Sequence, residues 1–585
     1  MTTINKLSKR VLCLIIAFIF TLCGMPVQTY AKSNVNAMPS IVKSYKENNS
    51  AFRLTSDSRF FIVSEAAPAQ DILDTVNLVC LEFAKESFPS SAKLSVIWGN
   101  ENEIKTGDIV IIIDSKMESE SYKLNLKDTA KLSAGDSDGV FYGLRTLLGL
   151  FMSKDSNTLK GCIIKDSPAV NERTVHLDCA RKYYSRKWIE NLIKDMSQMK
   201  YNALELHFSE DQALRLESKT FPWLAGALEG SEKYLTQKDV ARICKTARKY
   251  HIEIIPSFDS PGHMDYIVKT YAEYVKAHPN FKFTYNGKTY SKKTKGFSNI
   301  SNYFQYKGDK SAYNYRGIDI TNPTALAFTN ALIDEYADFF AGLGCTKFNI
   351  GGDELLGWSE ITVGGKTFNF NTKWNALEHW EKYAKKNLKI KNGSSSDTFI
   401  NYLNTLSTRL EKKNYSVRVW SDEINRNKDQ HISLKKSIQI LYWSNDFASI
   451  DTLKKKGHSF YNAISTWCYY VVRKDSQGND LMDTTYKNVT GKSIYKKWNP
   501  KSFASPGGKK KTVPSKQYAG AYFCIWGDMP EYKSASKIRK ETRSRMWANS
   551  VKMWNPNVNT KKSGNKKALS YSEFVKFTKL FDYQT

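Results

Sequence analysis

The chain has 585 residues, too many for one compact hydrophobic core, and this length predicts two or three domains. Hydrophobic residues make up 41% of the composition and aromatic residues 13%, as in a globular protein. The formal net charge of +29 comes from lysines spread along the chain without a helix-turn-helix, zinc-finger or aromatic-basic RNA motif, so no nucleic-acid partner is expected. Attraction to an anionic surface, such as a cell wall or a mucin, is expected instead.

The first residues have the features of a secretory signal peptide. A basic start precedes residues 11–23, which form an apolar core too short to span a bilayer comfortably. A tolerable cleavage site near Ala31 places the signal at residues 1–31. No second long apolar run follows, so the mature chain is expected to be secreted without a transmembrane segment.

Seven of the nine cysteines follow the signal. They are widely scattered, and several lie inside apolar runs such as HLDCA and AYFCIWG. Their spacing fits neither a disulfide framework nor a zinc site, so they are expected to be small core residues.

Residues 32–168 are predicted to form a small α/β domain. The segments FFIVSE and DIVIIID predict strands. QDILDTVNLVCLEFAKES has apolar residues at helical spacing, and DGVFYGLRTLLGLF predicts an amphipathic helix that closes the domain.

Residues 169–585 have a different rhythm, in which eight short apolar segments predict strands. In chain order they are VHLDCA (175–180), ALELHF (203–208), IEIIPS (252–257), KFNIGG (347–352), VRVWSD (417–422), IQILYW (438–443), FYNAIS (460–465) and AYFCIW (521–526). Helical patterns separate most of them, including one that begins with Asn322 as N-cap and Pro323 in the first turn. The connection from the fifth to the sixth strand has the weakest helical signal. Strands alternating with helices imply parallel pairing, and eight of them predict a (β/α)8 barrel.

Catalytic groups of such barrels lie at the carboxyl ends of the strands. Acids, an arginine, histidines and aromatic residues favour this end of the predicted strands over the other. In strand order they are Asp178 and Arg181; His207, Glu210, Asp211 and Gln212; Asp259 and His263; Asp353 and Glu354; Trp420, Asp422 and Glu423; Trp443; Trp467, Tyr469 and Tyr470; Trp526 and Asp528.

The segment KFNIGGDELLGW (347–358) is the most informative of these. Its apolar run breaks into two glycines and then two adjacent carboxylates, Asp353 and Glu354. In an arbitrary sequence, a strand followed by an ordinary acidic turn is the commoner explanation. The convergence of acids and aromatic residues at the other strand ends favours a functional pair.

Two kinds of hydrolysis are consistent with such a rim. Metal-dependent hydrolysis is the weaker, because the eight histidines form no His-x-His pair at the first strand and no clustered ligand set; no metal or cofactor is predicted. Sugar chemistry fits better, since tryptophans pack against a pyranose and glycosidic cleavage needs a proton donor. Adjacent side chains at a strand end diverge, so Glu354 is expected to donate the proton while Asp353 holds a neighbouring group of the substrate.

Four motifs, IGGDEL, SPGHMD, LDCARKYY and HFSEDQALRLES, resemble those of glycoside hydrolase family 20, the β-N-acetylhexosaminidases and lacto-N-biosidases. The resemblance covers nearly the whole mature chain, because SYKLNL and GVFYGLRTLL are similar to the family's non-catalytic α/β domain. It implies retaining, substrate-assisted hydrolysis. The 2-acetamido oxygen attacks the anomeric carbon and forms an oxazolinium intermediate, so no enzyme carboxylate acts as nucleophile.

The resemblance also implies the roles of individual residues. Glu354 is the general acid and then the base for water, and Asp353 orients and stabilises the acetamido nitrogen. Tyr469 hydrogen-bonds the acetamido oxygen, with Tyr470 as the alternative if the register shifts by one residue. The other substrate-binding candidates are Arg181, Asp211, Gln212, His263, Trp420, Trp443, Trp467, Trp526 and Asp528.

Three departures from the family pattern concern specificity. Lys182 stands where many members have histidine, Asp528 replaces the more common glutamate, and Ala213-Leu214 replaces Gly-Trp. A shorter acid at 528 and altered residues after Asp211 would leave room near the non-reducing end of the sugar.

The expected function is therefore a secreted β-N-acetylhexosaminidase that removes terminal β-linked N-acetylglucosamine (GlcNAc) from glycans. A lacto-N-biosidase, which releases Gal-β1,3-GlcNAc, is equally compatible with the departures. An inactive glycan-binding or adhesin protein is the alternative from another class. The long segment 279–315, rich in tyrosine, phenylalanine and lysine, is a further candidate for setting the choice.

Overall fold

In the computed structural model of the chain, the described residues are 41–85, 94–154, 156–228, 230, 233–304, 311, 313–355, 360–363, 366–369, 377–422, 424, 430–446, 448–560 and 568–581. The predicted signal peptide and Glu423 lie outside these ranges. Within them, no helix combines the length and the apolar character that crossing a membrane requires.

The first part of the chain is a seven-stranded mixed sheet with two helices. The strands are β1 (Ser44–Arg53), β2 (Arg59–Val63), β3 (Ser95–Gly99), β4 (Ile109–Ile113), β5 (Tyr122–Leu126), β6 (Ala130–Ala134) and β7 (Thr158–Asp166), in the sheet order β1-β7-β5-β6-β4-β2-β3. The helices are α1 (Gln70–Lys85) and α2 (Ser137–Lys154). Both strands and both helices predicted for this part are present. Helix α1 buries one apolar stripe, which includes Val76, Val79 and Phe83.

The second part is a closed barrel of eight parallel strands. They are β8 (Glu172–Asp178), β9 (Ala203–His207), β10 (Glu253–Ser257), β11 (Lys347–Asn349), β12 (Ser416–Trp420), β13 (Gln439–Tyr442), β14 (Phe460–Asn462) and β15 (Tyr518–Trp526). Each pairs in parallel with its neighbours, and β15 pairs with both β14 and β8, which closes the ring. A short extra strand, Tyr469–Val471, adds to the outer end of β15. The predicted (β/α)8 fold is confirmed.

Helices surround the barrel. They are α3 (Arg186–Gln198), α4 (Gln237–Lys249), α5 (Asp265–Ala277), α6 (Pro323–Gly342), α7 (Glu378–Lys386), α8 (Ser395–Glu411), α9 (Ile450–Lys455), α10 (Ser465–Cys468), α11 (Gly491–Lys497), α12 (Ala535–Trp554) and α13 (Tyr571–Lys579). The side chain of Asn322 caps α6 and Pro323 occupies its first turn, as predicted. The described part of the connection from β12 to β13 contains turns and no helix, which explains its weak helical signal.

Short β-hairpins lie in the loops at the carboxyl ends of the strands. They are Lys282–Tyr285 with Lys288–Ser291, Ser301–Phe304 with Tyr313–Ile318, and Glu360–Val363 with Lys366–Asn369. The segment 279–315 is therefore built largely from two hairpins. A three-stranded sheet of Ser209–Glu210, Ala213–Leu214 and Gly226–Ala227 follows β9.

Buried polar contacts join the first domain to the amino-terminal face of the barrel. The fully buried guanidinium of Arg173 at β8 donates to both carboxylate oxygens of Glu120, at 2.8 Å each. Trp554 in α12 donates from Nε1 to Asp166 Oδ2 at 2.9 Å. His251, next to β10, contacts Thr75 of α1 at 2.8 Å through Nε2. The first domain thus forms the base of the barrel, opposite the candidate site.

The interior of the barrel is polar beneath the site. Arg418 on β12 is fully buried and donates to the two carboxylate oxygens of Glu172 at 2.8 and 2.7 Å. Burial would raise the pKa of Glu172, but the charges of Arg418 and Lys347 lower it to about 2. Glu172 is therefore ionised and paired, which makes this ion pair a fixed support for the layers above it.

Candidate active site

Four aromatic side chains form one wall at the carboxyl ends of the strands, called here the aromatic wall: Trp420, Trp443, Tyr469 and Trp526. Trp443 and Tyr469 are stacked, with ring centroids 5.9 Å apart and planes inclined by 10°. Trp526 lies 5.6 Å from Tyr469 and 5.8 Å from Trp420. All four are at least nine-tenths buried. Strands β12, β13 and β15 thus converge on one apolar surface of the size and flatness that suit a sugar ring.

The segment after β11 forms a tight acidic turn, residues 351–354, called here the acid turn. Gly351 and Gly352 have φ of +71° and +82°, and Glu354 follows with φ +41°. A Cβ at Gly351 would lie 2.1 Å from Asp259 Oδ1, so a side chain does not fit there. The positive φ of a glutamate is strained, and such strain concentrates at functional sites. The two glycines therefore let the chain turn sharply and present both carboxylates.

Asp353 and Glu354 lie on the same side of the site. The Nε2 atom of His263 is 3.9 Å from Asp353 Oδ2 and 3.6 Å from Glu354 Oε2. Asp353 is the more buried, with 12% of its side chain exposed against 28% for Glu354. The Oδ1 atom of Asp353 is buried and has no hydrogen-bond partner among the described residues. Asp353 is thus the more enclosed carboxylate, while Glu354 is the acid more open to solvent and ligands.

Asp422, two residues after β12, links the acid turn to the aromatic wall. Its Oδ2 accepts a hydrogen bond from the backbone N–H of Glu354 at 2.9 Å, and its Oδ1 accepts one from Trp443 Nε1. It is fully buried. Burial, and then the charges of Asp353 and Glu354, raise the pKa of Asp422 well above its ordinary value. The carboxyl group of Asp422 therefore fixes the position of both Glu354 and Trp443.

A buried network of histidines and acids lies behind the acid turn. Glu210 Oε2 is 2.8 Å from His263 Nδ1, and Glu210 Oε1 is 3.3 Å from His207 Nε2. Asp259 Oδ2 is 3.4 Å from His207 Nε2. Asp211 Oδ2 is 3.4 Å from His263 Nδ1. All five side chains are held by one another, and His263 connects them to the acid turn.

The network shifts the proton affinity of its members. Burial alone would lower the pKa of His263, but Glu210, Asp353 and Asp259 raise it well above its usual value. The same competition raises the pKa of His207 to about 9. His263 is consequently a cation at neutral pH, placed between the two carboxylates of the acid turn.

The carboxylates of the network divide between two states. Burial would raise the pKa of Glu210, but the charges of Arg181 and His263 hold it well below its ordinary range, so Glu210 is ionised. For Asp259, burial and the charge of Asp353 raise the pKa well above its usual value. Burial raises the pKa of Asp353 too, with the charges of Glu354 and Glu210 adding to it. Such separation of neighbouring acids is typical of sites that move protons.

Arg181 lies next to Trp526 of the aromatic wall and is held there by two carboxylates. Its Nη1 donates to Asp178 Oδ2 at 2.9 Å, its Nη2 lies 2.7 Å from Glu210 Oε1, and its guanidinium lies 5.7 Å from the ring centroid of Trp526. Asp528, two residues after Trp526, is 3.6 Å from Arg473 Nη1. Burial raises the pKa of Asp528, an effect that Arg181 opposes. An arginine and an acid thus lie near Trp526, at one end of the aromatic wall, and their role in holding the sugar hydroxyls stays a prediction.

Two of the predicted substrate-binding residues are placed away from the aromatic wall. Tyr470 points to the opposite side of its strand from Tyr469 and donates its hydroxyl to Glu541 Oε2 at 2.5 Å. Neighbouring residues of a strand face opposite sides, so only one of this pair reaches the site, and it is Tyr469. Trp467 donates from Nε1 to the carbonyl of Ala504 at 3.2 Å and lines a separate cavity.

The residues after β9 are held by local contacts. Asp211 Oδ1 accepts from the backbone N–H of Asp265 at 3.4 Å, next to His263. The backbone carbonyl of Gln212 accepts from Leu228 at 2.8 Å, and nothing among the described contacts brings its side chain to the aromatic wall. Ala213 and Leu214 are fully buried in the small sheet. The expectation that they leave room near the non-reducing end of the sugar stays a prediction.

Two groups of three side chains could each hold a metal ion, because their three ligand atoms lie within 4.8 Å of one another. The groups are His207 with Glu210 and Asp259, and Glu210 with Asp211 and His263. Glu210 hydrogen-bonds to His207 and His263, and the carboxylates of Asp259 and Asp211 lie 3.4 Å from the same two histidines as charge pairs. Glu210 is also shared with Arg181, whose charge opposes a bound cation. The expectation that the site works without a metal stays a prediction.

Four residues at the predicted strand ends have no role that the sequence indicates: Asp422, His207, Glu210 and Asp259. Their importance comes from contacts between strands that are distant in sequence, such as that between Asp422 and Glu354. A carboxylate two residues beyond a strand end was the only signal for Asp422.

Comparison with known proteins covers both parts of the chain. Residues 171–557 match the model of the glycosyl hydrolase family 20 catalytic domain, and residues 37–167 match that of the family's domain 2. A lacto-N-biosidase of Bifidobacterium bifidum is 24% identical over 440 residues, which are 74% of this chain and 33% of that protein. The chain therefore spans about a third of the length of this relative. Beta-hexosaminidase subunit A1 of Dictyostelium discoideum is 25% identical over 425 residues, covering 71% of this chain and 67% of that protein.

Solved structures share the fold. A family 20 exo-β-N-acetylglucosaminidase from Vibrio harveyi, in complex with N-acetylglucosamine, superimposes with a TM-score of 0.65 at 17% identity, covering 96% of this chain and 80% of that one. At this level of identity the likeness concerns the fold alone.

Proposed function

The chain belongs to glycosyl hydrolase family 20, and on this premise we propose that it removes terminal β-linked N-acetylhexosamine, with GlcNAc as the main sugar, from glycans with retention of configuration. The observation that carries the proposal is the acid turn. Asp353 and Glu354 lie within 4 Å of one nitrogen of His263, so they approach a substrate from the same side. In the common retaining mechanism two carboxylates flank the glycosidic bond from opposite faces, and this pair does not have that arrangement. The nucleophile proposed instead is the substrate's own acetamido oxygen, as the resemblance to family 20 implies.

The first half of the reaction follows from the contacts of the acid turn. Asp353, whose side chain is 12% exposed, accepts the acetamido N–H through its carboxylate, which aims the acetamido oxygen at the anomeric carbon. Glu354 donates its proton to the glycosidic oxygen as the bond from that oxygen to the anomeric carbon breaks. The acetamido oxygen forms the new bond to the anomeric carbon, and the leaving group departs as an alcohol.

The second half reverses the proton transfer. Glu354, now a carboxylate, takes a proton from water while the water oxygen attacks the anomeric carbon and opens the oxazolinium ring. Glu354 ends protonated and the sugar leaves with its original configuration.

Tyr469 contributes a hydrogen-bond donor on the aromatic wall. Burial, with the charges of Asp422 and Asp353 adding to it, raises the pKa of its hydroxyl well above the usual value. The hydroxyl therefore keeps its proton over the working pH range and can donate to the acetamido oxygen. The stacked ring of Trp443 holds it in place.

A lacto-N-biosidase is the second candidate, and two observations favour it. Asp528 is one methylene shorter than glutamate and its side chain is 26% exposed, so space remains beside Arg473 for a further sugar. The lacto-N-biosidase of Bifidobacterium bifidum is among the relatives.

Secretion is proposed from the sequence of residues 1–31, and binding to cell-wall or mucin surfaces from the charge of +29.

The test is a parallel assay on p-nitrophenyl β-N-acetylglucosaminide and p-nitrophenyl β-lacto-N-bioside, with Glu354→Gln as control. Release from the monosaccharide supports the exo-hexosaminidase, and release from the disaccharide alone supports the lacto-N-biosidase. Glycan binding without turnover of either substrate would refute both and favour a binding protein.

A further inference from the structure

The segment between Asp483 and Asp528 is unusual in charge. It contains nine lysines and no aspartate or glutamate. In the described part of the chain, none of these lysines has a carboxylate oxygen within 4 Å. Some lysines elsewhere on the described surface are paired with acids of the same helix, as in Lys382–Glu378 and Lys385–Glu381 of α7, but this segment has no acid of its own to supply such a pair. The segment therefore carries a positive charge that its neighbours do not neutralise.

Part of this segment, residues 499–511, forms a loop at the carboxyl ends of β13 and β14, called here the lysine loop. Asn445, two residues after Trp443, donates to Ser505 Oγ at 3.4 Å and accepts from Lys511 Nζ at 3.2 Å. Asn462, the last residue of β14, donates to the carbonyl of Ser502 at 2.9 Å. The loop is thus fixed to the rim beside the aromatic wall.

The lysine loop has a defined conformation. The backbone N–H of Gly508 donates to the carbonyl of Ser505 at 3.0 Å, and Gly507 between them has φ +80°. With Pro506 in the second position, this sequence and geometry are those of a type II turn, which requires glycine in the third position. The lysines that follow this turn are therefore presented by a fixed backbone.

A cavity of about 310 Å³ opens between this loop, Trp467 and the end of α11. Its lining includes the exposed residues Lys497 and Lys510, together with Asn488, Asn499 and Ser505. This volume lies at the lower end of the range for ligand pockets and suits one sugar residue. Amines, amides and a hydroxyl around an indole provide donors for a carboxylate or sulfate and a surface for a sugar ring.

We propose that this cavity binds a carboxylated or sulfated sugar of the same glycan whose terminal residue occupies the aromatic wall. The inference rests on the proposed function, because an exo-acting enzyme encloses only the terminal unit and the rest of the glycan must extend over the rim. Trp467 lies two residues before Tyr469, so the cavity and the aromatic wall share one short stretch of chain. The enzyme would then prefer acidic glycans over neutral ones.

The test compares matched pairs of substrates built on whichever terminal unit the chromogenic assay identifies. One pair joins that unit to glucuronic acid or to glucose, and a second joins it to 6-sulfogalactose or to galactose. We expect kcat/KM for the acidic member to exceed that for the neutral member by about 10-fold at low salt, which is about 1.4 kcal/mol shared between two exposed charge contacts. The preference should shrink at 0.5 M NaCl, where charges are screened within a few ångströms. The two pairs distinguish carboxylate from sulfate.

The decisive variant is Lys497→Ala/Lys510→Ala, and its matched control is Lys492→Ala/Lys516→Ala, which removes the same charge from the same segment outside the cavity lining. The first should abolish the preference and the second should retain it, while turnover of the neutral chromogenic substrate stays the same in both. Equal rates on both members of each pair in the wild type would overturn the proposal. An equal loss of the acidic preference in the two double variants would refute the cavity as the binding site, because the preference would then come from the overall positive charge of the segment.

A binding measurement separates this inference from the proposed function. Calorimetric titration of the acidic oligosaccharides into the Glu354→Gln protein reports the cavity even if no substrate is turned over. Tighter binding of the acidic member, lost in the Lys497/Lys510 variant, supports the cavity whatever the enzyme's activity. Absence of that difference refutes it even if the chromogenic assay succeeds.

Discussion

The adjacent tyrosines Tyr469 and Tyr470 offer the sharpest test of the site, because replacing each by phenylalanine removes only a hydroxyl. Tyr469→Phe keeps the ring stacked on Trp443 at 5.9 Å, so the free energy of unfolding should change by less than about 0.5 kcal/mol. The lost donor, however, acts on the acetamido oxygen as charge develops. Such a donor contributes about 3 kcal/mol, and kcat/KM should fall about 100-fold.

Tyr470→Phe should give the opposite result. Its hydroxyl donates to Glu541 at 2.5 Å, a hydrogen bond to a charged acceptor. Such bonds contribute about 1.5–3 kcal/mol, and the lower end applies because Glu541 is 30% exposed and keeps its contact with Lys533 at 2.9 Å. We therefore expect a loss of about 1.5 kcal/mol in the free energy of unfolding with kcat/KM unchanged.

The two readouts are chromogenic turnover and denaturant unfolding, measured on both variants in parallel. Loss of activity in Tyr470→Phe with full activity in Tyr469→Phe would show that the register is shifted by one residue. Retention of most activity in both would refute a tyrosine donor to the acetamido group.

Three further predictions concern the network, the acid turn and its support. The pKa of His207 is about 9 when folded against 6.5 when unfolded, so its stabilising contribution is fully present below pH 6.5 and lost as the pH rises through 9. The difference in free energy of unfolding between wild type and His207→Gln should shrink by about 3 kcal/mol from pH 6 to pH 10, and a pH-independent difference would contradict this. Gly351→Ala should lower the free energy of unfolding by more than about 3 kcal/mol or prevent folding, because its Cβ would clash with Asp259. Gly478→Ala is the control: Gly478 has φ +87° and open space around it, so the loss should be only about 1 kcal/mol. Both are measured by thermal unfolding, and similar losses would refute the steric argument. Asp422→Asn should lower kcat about 10-fold with little change in KM, because one of its two hydrogen bonds to Glu354 and Trp443 is lost, and an unchanged kcat would show that Asp422 has no positioning role.

The barrel could be predicted because its strands are buried on both faces. Such strands appear in sequence as short continuous apolar runs, and all eight predicted runs overlap observed strands. The boundaries were less predictable. KFNIGG forms only three residues of strand, Lys347–Asn349, because Gly351 and Gly352 leave the extended conformation to make the acid turn.

The site was predictable only in part. Its main residues follow strand ends, where the topology of the barrel brings them together. The choice between Tyr469 and Tyr470 depended on a four-residue helix, Ser465–Cys468, which sets the register of the strand that follows it. No sequence pattern predicts so short a helix. The link between Asp422 and Glu354 likewise depends on two loops whose spacing only the folded chain defines.

The ion pair of Arg173 with Glu120 has a consequence for the protein as a whole. Expressing the barrel without the first domain would leave a buried guanidinium without its carboxylate and would uncover the indole of Trp554. The two domains should accordingly melt in a single cooperative transition, and a protease that cuts between them should not release a stable barrel. The first domain would then act as a foundation for the folding of the barrel.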